Sequence, residues 1–393
     1  MIDCLINVAL LLVILVGLVL VHELGHFFMA RRAGVTVHEF GIGFPPRAAI
    51  LYRGKETVYS LNWLPIGGFV RLEGEEGESV DPRAFVNQRL GTRLRILLAG
   101  VVVNFALAWL IFTLIALMAQ PIWHIRVGAV DLGSPAASAG LIGGQVTGQT
   151  EVQPILDEND EIVGYTEPRD IYDASGDLIL AVDGRLFPVF DDLTVEDGAV
   201  GPIRHLVERA GETVTLTVAR PDGSVEDIAV TLRSPEELSA EVGALGVTYG
   251  REYGETQNGI VESAATGLER TVEASTLILR GVAELVGALL QPGSELPVAG
   301  PLGITDLVGD VRESLPPVFL VWFVGLLSAN LAVINILPFP PMDGGRITMA
   351  LVQAASRNRV SPAAERLVYL TGFVMLMTLL VVVTVADIQR ING

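Results

Sequence analysis

Cysteine is almost missing from this chain of 393 residues, in which Cys4 stands alone. Without a partner it closes no internal disulfide, and it cannot build a thiolate zinc site, which takes several sulfurs. Its place at the start of an apolar run fits packing or a lipid-facing position. Basic residues are also few, 26 Lys and Arg against 45 Asp and Glu, for a formal net charge of -19. Such a surface offers no broad basic face to phosphates and no segment reads as an RNA or DNA module, so no nucleic acid is expected as a partner. What the chain has in quantity is hydrocarbon. Half of its residues are apolar and its mean hydropathy is positive, the balance of a membrane protein.

Four stretches, residues 4–29, 94–119, 318–337 and 367–386, are long and apolar enough to cross a hydrocarbon core about 30 Å thick. The first has no basic residue ahead of it and no small-residue cleavage site behind it, so it reads as a retained helix rather than a signal peptide. Arg31 and Arg32 close it, the segment up to Arg95 is basic, and the short loop after the third span holds Arg346, Arg357, Arg359 and Arg366. By the positive-inside rule both loops face the cytoplasm. Both termini and the acidic region between spans two and three are then extracytoplasmic. The expected organisation is spans within 1–31, 93–120, 317–345 and 366–393, cytoplasmic segments 32–92 and 346–365, an outer domain at 121–250 and a connector at 251–316.

The first span ends in His22-Glu23-Leu24-Gly25-His26. An i, i+4 spacing stacks two imidazoles on one helical face and leaves Glu23 beside them, the zincin pattern. Three ionisable side chains at membrane depth are costly unless they pair or bind metal. A rise of about 1.5 Å per residue carries His22 about 27 Å across from Cys4, close to the cytoplasmic side. Catalytic zinc takes three protein ligands and keeps a position for water, so a third ligand is required. The third span runs in the same direction and ends at Asn335-Ile336-Leu337-Pro338-Phe339-Pro340-Pro341-Met342-Asp343-Gly344-Gly345, where the prolines stop the helix and Asp343 arrives at similar depth. An Asx-type turn before two glycines would suit Asp343 equally well locally, but topology favours a ligand. His38, His124, His205, Asp3 and Asp387 lie beyond the arginines, on the opposite side or at outer helix ends, and read as ordinary polar residues.

Together these segments resemble the site-2 protease family of intramembrane metalloproteases, whose H-E-x-x-H and N-x-x-P-x-P-x-L-D-G motifs match His22 to His26 and Asn335 to Gly344, with Met342 in place of the usual leucine. The resemblance is closest to the bacterial regulator of sigma-E protease branch. It implies a polytopic α-helical membrane protein with four transmembrane helices, a membrane-associated β-loop and one extracytoplasmic PDZ-like α+β domain, set in the inner (plasma) membrane. It further implies Zn²⁺ on His22, His26 and Asp343, with Glu23 as general base. The implied partners are the lipid bilayer and single-span membrane proteins cut within their spans, such as anti-sigma factors or leftover signal peptides.

Other segments fit that picture. Residues 35–72 alternate β-formers with turns and end in Gly67-Gly68-Phe69-Val70, a small sheet or hairpin set. The similar family region lies at the active-site mouth, where Gly67, Gly68 and Phe69 would hold an unwound substrate by strand addition, with Asn335 also placed at the substrate. In the second span Gly100 and Asn104 resemble a G-P-x-x-N-F stretch in which Val101 replaces proline; helix packing explains both equally well. Gly133 to Leu141 and Gly176 to Gly184 look like PDZ segments, with the acidic, turn-rich residues 143–175 between them read as a solvated insertion. Such a domain would bind a peptide or chain end, or hinder bulky substrates. Residues 261–290 have helical apolar spacing, and Gly300-Pro301-Leu302-Gly303-Ile304 matches a family G-P-x-G-I stretch. Two other functional classes compete. A silent membrane adaptor has no need of Glu23, and a transporter lacks a through-membrane path in four spans without a repeat.

Overall fold

The computed structural model describes residues 2–75, 79–149, 154–156, 162–165, 170–191, 201–239, 242–291, 300–356 and 360–392; Arg357, Arg359 and the side chains of Asp3 and Cys4 lie outside that description. The chain divides into two units, Met1–Ala116 with Gly259–Asn392, and Leu117–Asn258.

In the first unit α1 (Ile2–Arg32) closes with Arg31 and Arg32 in its last turn, where cations complement the helix dipole. Gly34, at φ +78°, ends it: Val35 N–H donates to Ala30 at 2.9 Å and Gly34 N–H to Arg31 at 3.1 Å, a Schellman closure. The chain then enters β1 (Val37–Arg53) and β2 (Val58–Leu72). Both strands bend, so that residues 37–42 pair with 72–68 and 47–53 pair with 62–58, while 39–44 also lie beside 58–64. Phe27, Ala30, Val35, Val37, Phe40, Leu72, Ile96 and Leu97 form one buried cluster that fixes this hairpin to α1 and to α2 (Leu90–Met118).

The second unit is built on a five-stranded sheet. It contains β3 (Gln120–Val130), α3 (Pro135–Ser138), the short strands β4 (Val146–Gln149), β5 (Pro154–Leu156), β6 (Ile162–Tyr165) and β7 (Asp170–Tyr172), then β8 (Leu178–Val182), α4 (Gly201–Glu208), β9 (Thr213–Ala219), β10 (Val225–Thr231) and β11 (Val247–Thr256). The sheet order is β10-β9-β8-β3-β11, over a core that includes Ile125, Val127, Val182, Leu216 and Val218. The acidic insertion is more regular than its composition suggests, because β4 pairs with β7 and β5 with β6.

The chain returns to the first unit through α5 (Ile260–Leu289), α6 (Pro301–Ser314), α7 (Pro317–Ile336), α8 (Asp343–Ala355) and α9 (Pro362–Asn392). Buried Ser263, Gly267, Thr271 and Ala274 recur at helical spacing on α5. A Cβ at Gly267 would lie 2.2 Å from the Thr113 hydroxyl, so α5 meets α2 closely at that point, and α5 also packs against α7. Among the described residues four helices, α1, α2, α7 and α9, are long and apolar enough to cross a membrane.

Candidate metal centre

The imidazoles of His22 and His26 are one helical turn apart on α1 and both are buried. α7 stops at Ile336, and after six intervening residues α8 begins with Asp343. The two glycines after Asp343 make that reversal possible: a Cβ at Gly344 would lie 2.1 Å from the Leu337 carbonyl oxygen, and one at Gly345 would lie 2.7 Å from Pro340 N. The Pro340-Pro341 bond is cis. Arg346, one turn along α8, donates to Glu75 just after β2, so the hairpin and the helix that carries Asp343 are joined.

The reversal brings Asp343 Oδ2 to 2.9 Å from His22 Nε2 and 3.0 Å from His26 Nε2, and the two Nε2 atoms are 3.1 Å apart. Two nitrogens and one carboxylate oxygen thus face a common point. The edges of a tetrahedron with bonds of about 2.0–2.1 Å are about 3.3 Å, so this triangle is a few tenths of an ångström tighter than zinc requires. The donor set, two imidazoles and one carboxylate with no thiolate, is that of a catalytic zinc rather than a closed structural site. Among the described residues this is the one His/Cys/Asp/Glu group placed to hold a metal ion.

Glu23 is half-buried and has His22, His26, Asp343 and Glu75 as its charged neighbours. Gly68 comes close to it, since a Cβ there would be 3.8 Å from Glu23 Cγ, 2.9 Å from Leu20 Cδ2 and 2.9 Å from the Gly41 carbonyl oxygen. Gly67, at φ +74°, packs against Val19. Phe69 lies over Gly41, in the strand paired with its own. Asn335 is half-buried in the last turn of α7.

α2 forms the wall behind the imidazoles. Gly25 allows α1 to meet it, as a Cβ there would be 2.6 Å from the Ala99 carbonyl oxygen, and a Cβ at Gly100 would lie 2.5 Å from His26 Nε2 and 2.6 Å from His22 Cε1. His26 Nδ1 donates to the Ile96 carbonyl at 2.8 Å, and Asn104 Nδ2 lies 3.4 Å from His22 Nδ1. Motif reading attaches no chemistry to these α2 positions. Their sequence signals are the resemblance of Gly100 and Asn104 to a family G-P-x-x-N-F stretch and the spacing of four between residues 96, 100 and 104.

Two of the residues read as ordinary have ordinary partners. His38 pairs with Glu73, and buried Asp387 accepts backbone N–H bonds from Gly300 and Gly303. A sequence model of peptidase family M50 matches residues 10–379, nearly the whole chain. The chain belongs to peptidase family M50. It is 30% identical over 379 residues to a putative zinc metalloprotease of Clostridium perfringens, covering 95% of each chain. It is 29% identical to a putative zinc metalloprotease of Clostridium acetobutylicum, covering 94% of each, and 25% identical to the regulator of sigma-W protease RasP of Bacillus subtilis, covering 98% of this chain and 99% of that one. As a member of this site-2 protease family the protein is a zinc metalloprotease, and its four apolar helices make it a multi-pass membrane protein.

Proposed function

We propose that this M50 peptidase cleaves peptide bonds inside the membrane-spanning segments of single-span proteins, with His22, His26 and Asp343 as zinc ligands and Glu23 as general base. The observation that carries this reading is the convergence of His22 Nε2, His26 Nε2 and Asp343 Oδ2 at the ends of two apolar spans. Zinc supplies Lewis acidity to the scissile carbonyl and to the attacking water. Glu23 takes the proton of that water and hands it to the leaving nitrogen, and no covalent intermediate is needed.

A helical substrate hides its peptide bonds in its own hydrogen bonds and must unwind before attack. Residues 68–72 have one paired edge, toward residues 42–37, and no second strand among the described residues. That free edge, with Gly67, Gly68 and Phe69, takes the unwound segment by strand addition next to Glu23, and Asn335 contacts the same strand. By the positive-inside rule, the arginine-bearing loops support a site toward the cytoplasm and both termini outside. The outer unit is PDZ-like and either binds a chain end or holds back bulky extracytoplasmic regions. The name of the Bacillus relative ties it to sigma-W regulation, which supports anti-sigma factors as one substrate class, with leftover signal peptides as another.

The test uses full-length protein co-reconstituted with a single-span substrate. Glu23→Gln should keep its zinc and lose cleavage by at least about 10²-fold, while Asp343→Asn should lose zinc itself, read by metal analysis. Undiminished cleavage by Glu23→Gln would remove the assigned base, and full zinc in Asp343→Asn would remove the assigned ligand.

A further inference from the structure

The proposed chemistry gives α2 neither a ligand nor a base, yet its buried positions Ile96, Gly100 and Asn104, one turn apart, all face the two imidazoles. The contacts run in opposite chain order, 96 to 26 and 104 to 22, as expected of antiparallel helices. Each imidazole turns Nε2 toward Asp343 and Nδ1 toward α2. An imidazole that offers the lone pair of Nε2 to a cation is neutral and carries its proton on Nδ1. That N–H is buried, so it needs an acceptor.

His26 has one in the Ile96 carbonyl, 2.8 Å away. His22 Nδ1 instead meets the side-chain amide of Asn104, whose Nδ2 is 3.4 Å away while Oδ1 is buried without a partner among the described residues. In that orientation a donor faces a donor. A half-turn of the amide exchanges oxygen for nitrogen in nearly the same volume. Either orientation leaves one amide atom without a protein partner, but only the turned one gives the Nδ1 proton an acceptor. Asn104 itself is fully buried, and its carbonyl accepts from Ser328 Oγ of α7 at 2.8 Å, so its backbone is anchored to the helix that leads to Asp343.

We infer that Asn104 is a positioning residue for the metal: its amide oxygen accepts from His22 Nδ1–H, fixes that tautomer and the plane of the ring, and thereby aims Nε2 at the point shared with His26 and Asp343. The inference rests on the ligand assignment above. It gives α2 one function carried out twice, by a backbone carbonyl for His26 and by a side chain for His22. Only the second can be removed by substitution. Outer-shell partners of this kind typically contribute about 10–100-fold to metal affinity.

The experiment compares full-length wild type with Asn104→Leu and Asn104→Asp in detergent micelles. Zn²⁺ affinity is read by competition with a chromophoric chelator, Co²⁺ ligand-field bands report the ligand geometry, and the thermal midpoint of the metal-free protein reports folding. Asn104→Leu should bind Zn²⁺ about 10–100-fold more weakly and alter the Co²⁺ bands. Asn104→Asp keeps an acceptor and should bind at least as tightly as wild type with unchanged bands. If the leucine variant fails to fold, Asn104→Ala carries the same comparison. A folded apolar variant that binds Zn²⁺ like wild type overturns the inference, as does an aspartate variant as weak as the apolar ones. Wild-type protein that binds no Zn²⁺ sinks the ligand assignment, whereas tight wild-type binding with an indifferent position 104 sinks only this inference.

Discussion

A methyl group at position 100 has no room. Its Cβ would sit 2.5 Å from His26 Nε2 and 2.6 Å from His22 Cε1, well inside van der Waals contact. Gly100→Ala must therefore push α2 from α1 or displace the imidazoles, and either breaks the donor triangle. The expected result is a folded protein with little bound zinc and little activity, checked by zinc per mole of purified chain beside its helical content by circular dichroism; full zinc occupancy would contradict the packing described. The pair His22 and His26 is legible in the sequence because an i, i+4 spacing is a local property of one helix. Asp343 is legible only through topology, since its approach depends on where two spans end. Gly100 and Asn104 are legible as a resemblance to a family stretch or as helix packing, but their place beside the imidazoles is not, because it depends on the register between two helices, and no local pattern fixes that.

The hairpin of β1 and β2 depends on one buried carboxylate. Glu39 Oε1 accepts from Arg47 Nη2 at 2.6 Å and from Ser60 Oγ at 2.7 Å, and Oε2 lies 3.1 Å from Arg71 Nη2. Four runs of the bent strands meet there. Burial pushes the Glu39 carboxyl up, but Arg47, Ser60 and Arg71 outweigh it and hold it below its ordinary 4.5. A depressed carboxyl contributes stability that is complete above the unfolded value and fades as pH falls through the folded one. The hairpin should then loosen only below about pH 4.5, seen as faster limited proteolysis between residues 47 and 60, and Glu39→Gln should flatten that dependence. Glu39→Ala strands two half-exposed arginines that can turn to water, so the cost is about 1–3 kcal/mol. Alternating β-formers announce a hairpin here, but they do not announce that each strand bends and pairs twice, around Pro45-Pro46 on one side and Gly67 on the other. The acidic insertion has the same difficulty, since its short ladders β4-β7 and β5-β6 lack the apolar alternation that marks longer strands.

Over the whole chain the four spans are the most legible feature, because crossing a bilayer is set by length and apolarity alone. How those spans are tied together is less so. Asp387, near the end of α9 and read from sequence as an ordinary polar residue at an outer helix end, is 2% exposed and accepts N–H bonds from Gly300 at 2.9 Å and Gly303 at 3.0 Å. Those amides belong to the first turn of α6, where backbone donors have no partner within the helix and a carboxylate also meets the positive end of the dipole. α6 in turn packs on α1: Val308 joins Leu11, Leu18, Phe323 and Leu327 in one cluster, and a Cβ at Gly309 would lie 2.4 Å from Asn7 Nδ2. The last helix is thus fastened to the first through a cap formed by residues 84 and 87 positions apart in sequence. Removing the carboxylate leaves one buried and one half-buried donor unsatisfied, so Asp387→Ala should cost about 1–3 kcal/mol, and Asp387→Asn, which keeps one acceptor oxygen, should cost less. Because the cap touches neither His22, His26 nor Asp343, the thermal midpoint of the metal-free protein should fall while its affinity for Zn²⁺ stays at the wild-type value. A variant that melts like wild type, or one that loses zinc in proportion to stability, would show that α6 does not fasten the two ends of the chain independently of the metal centre.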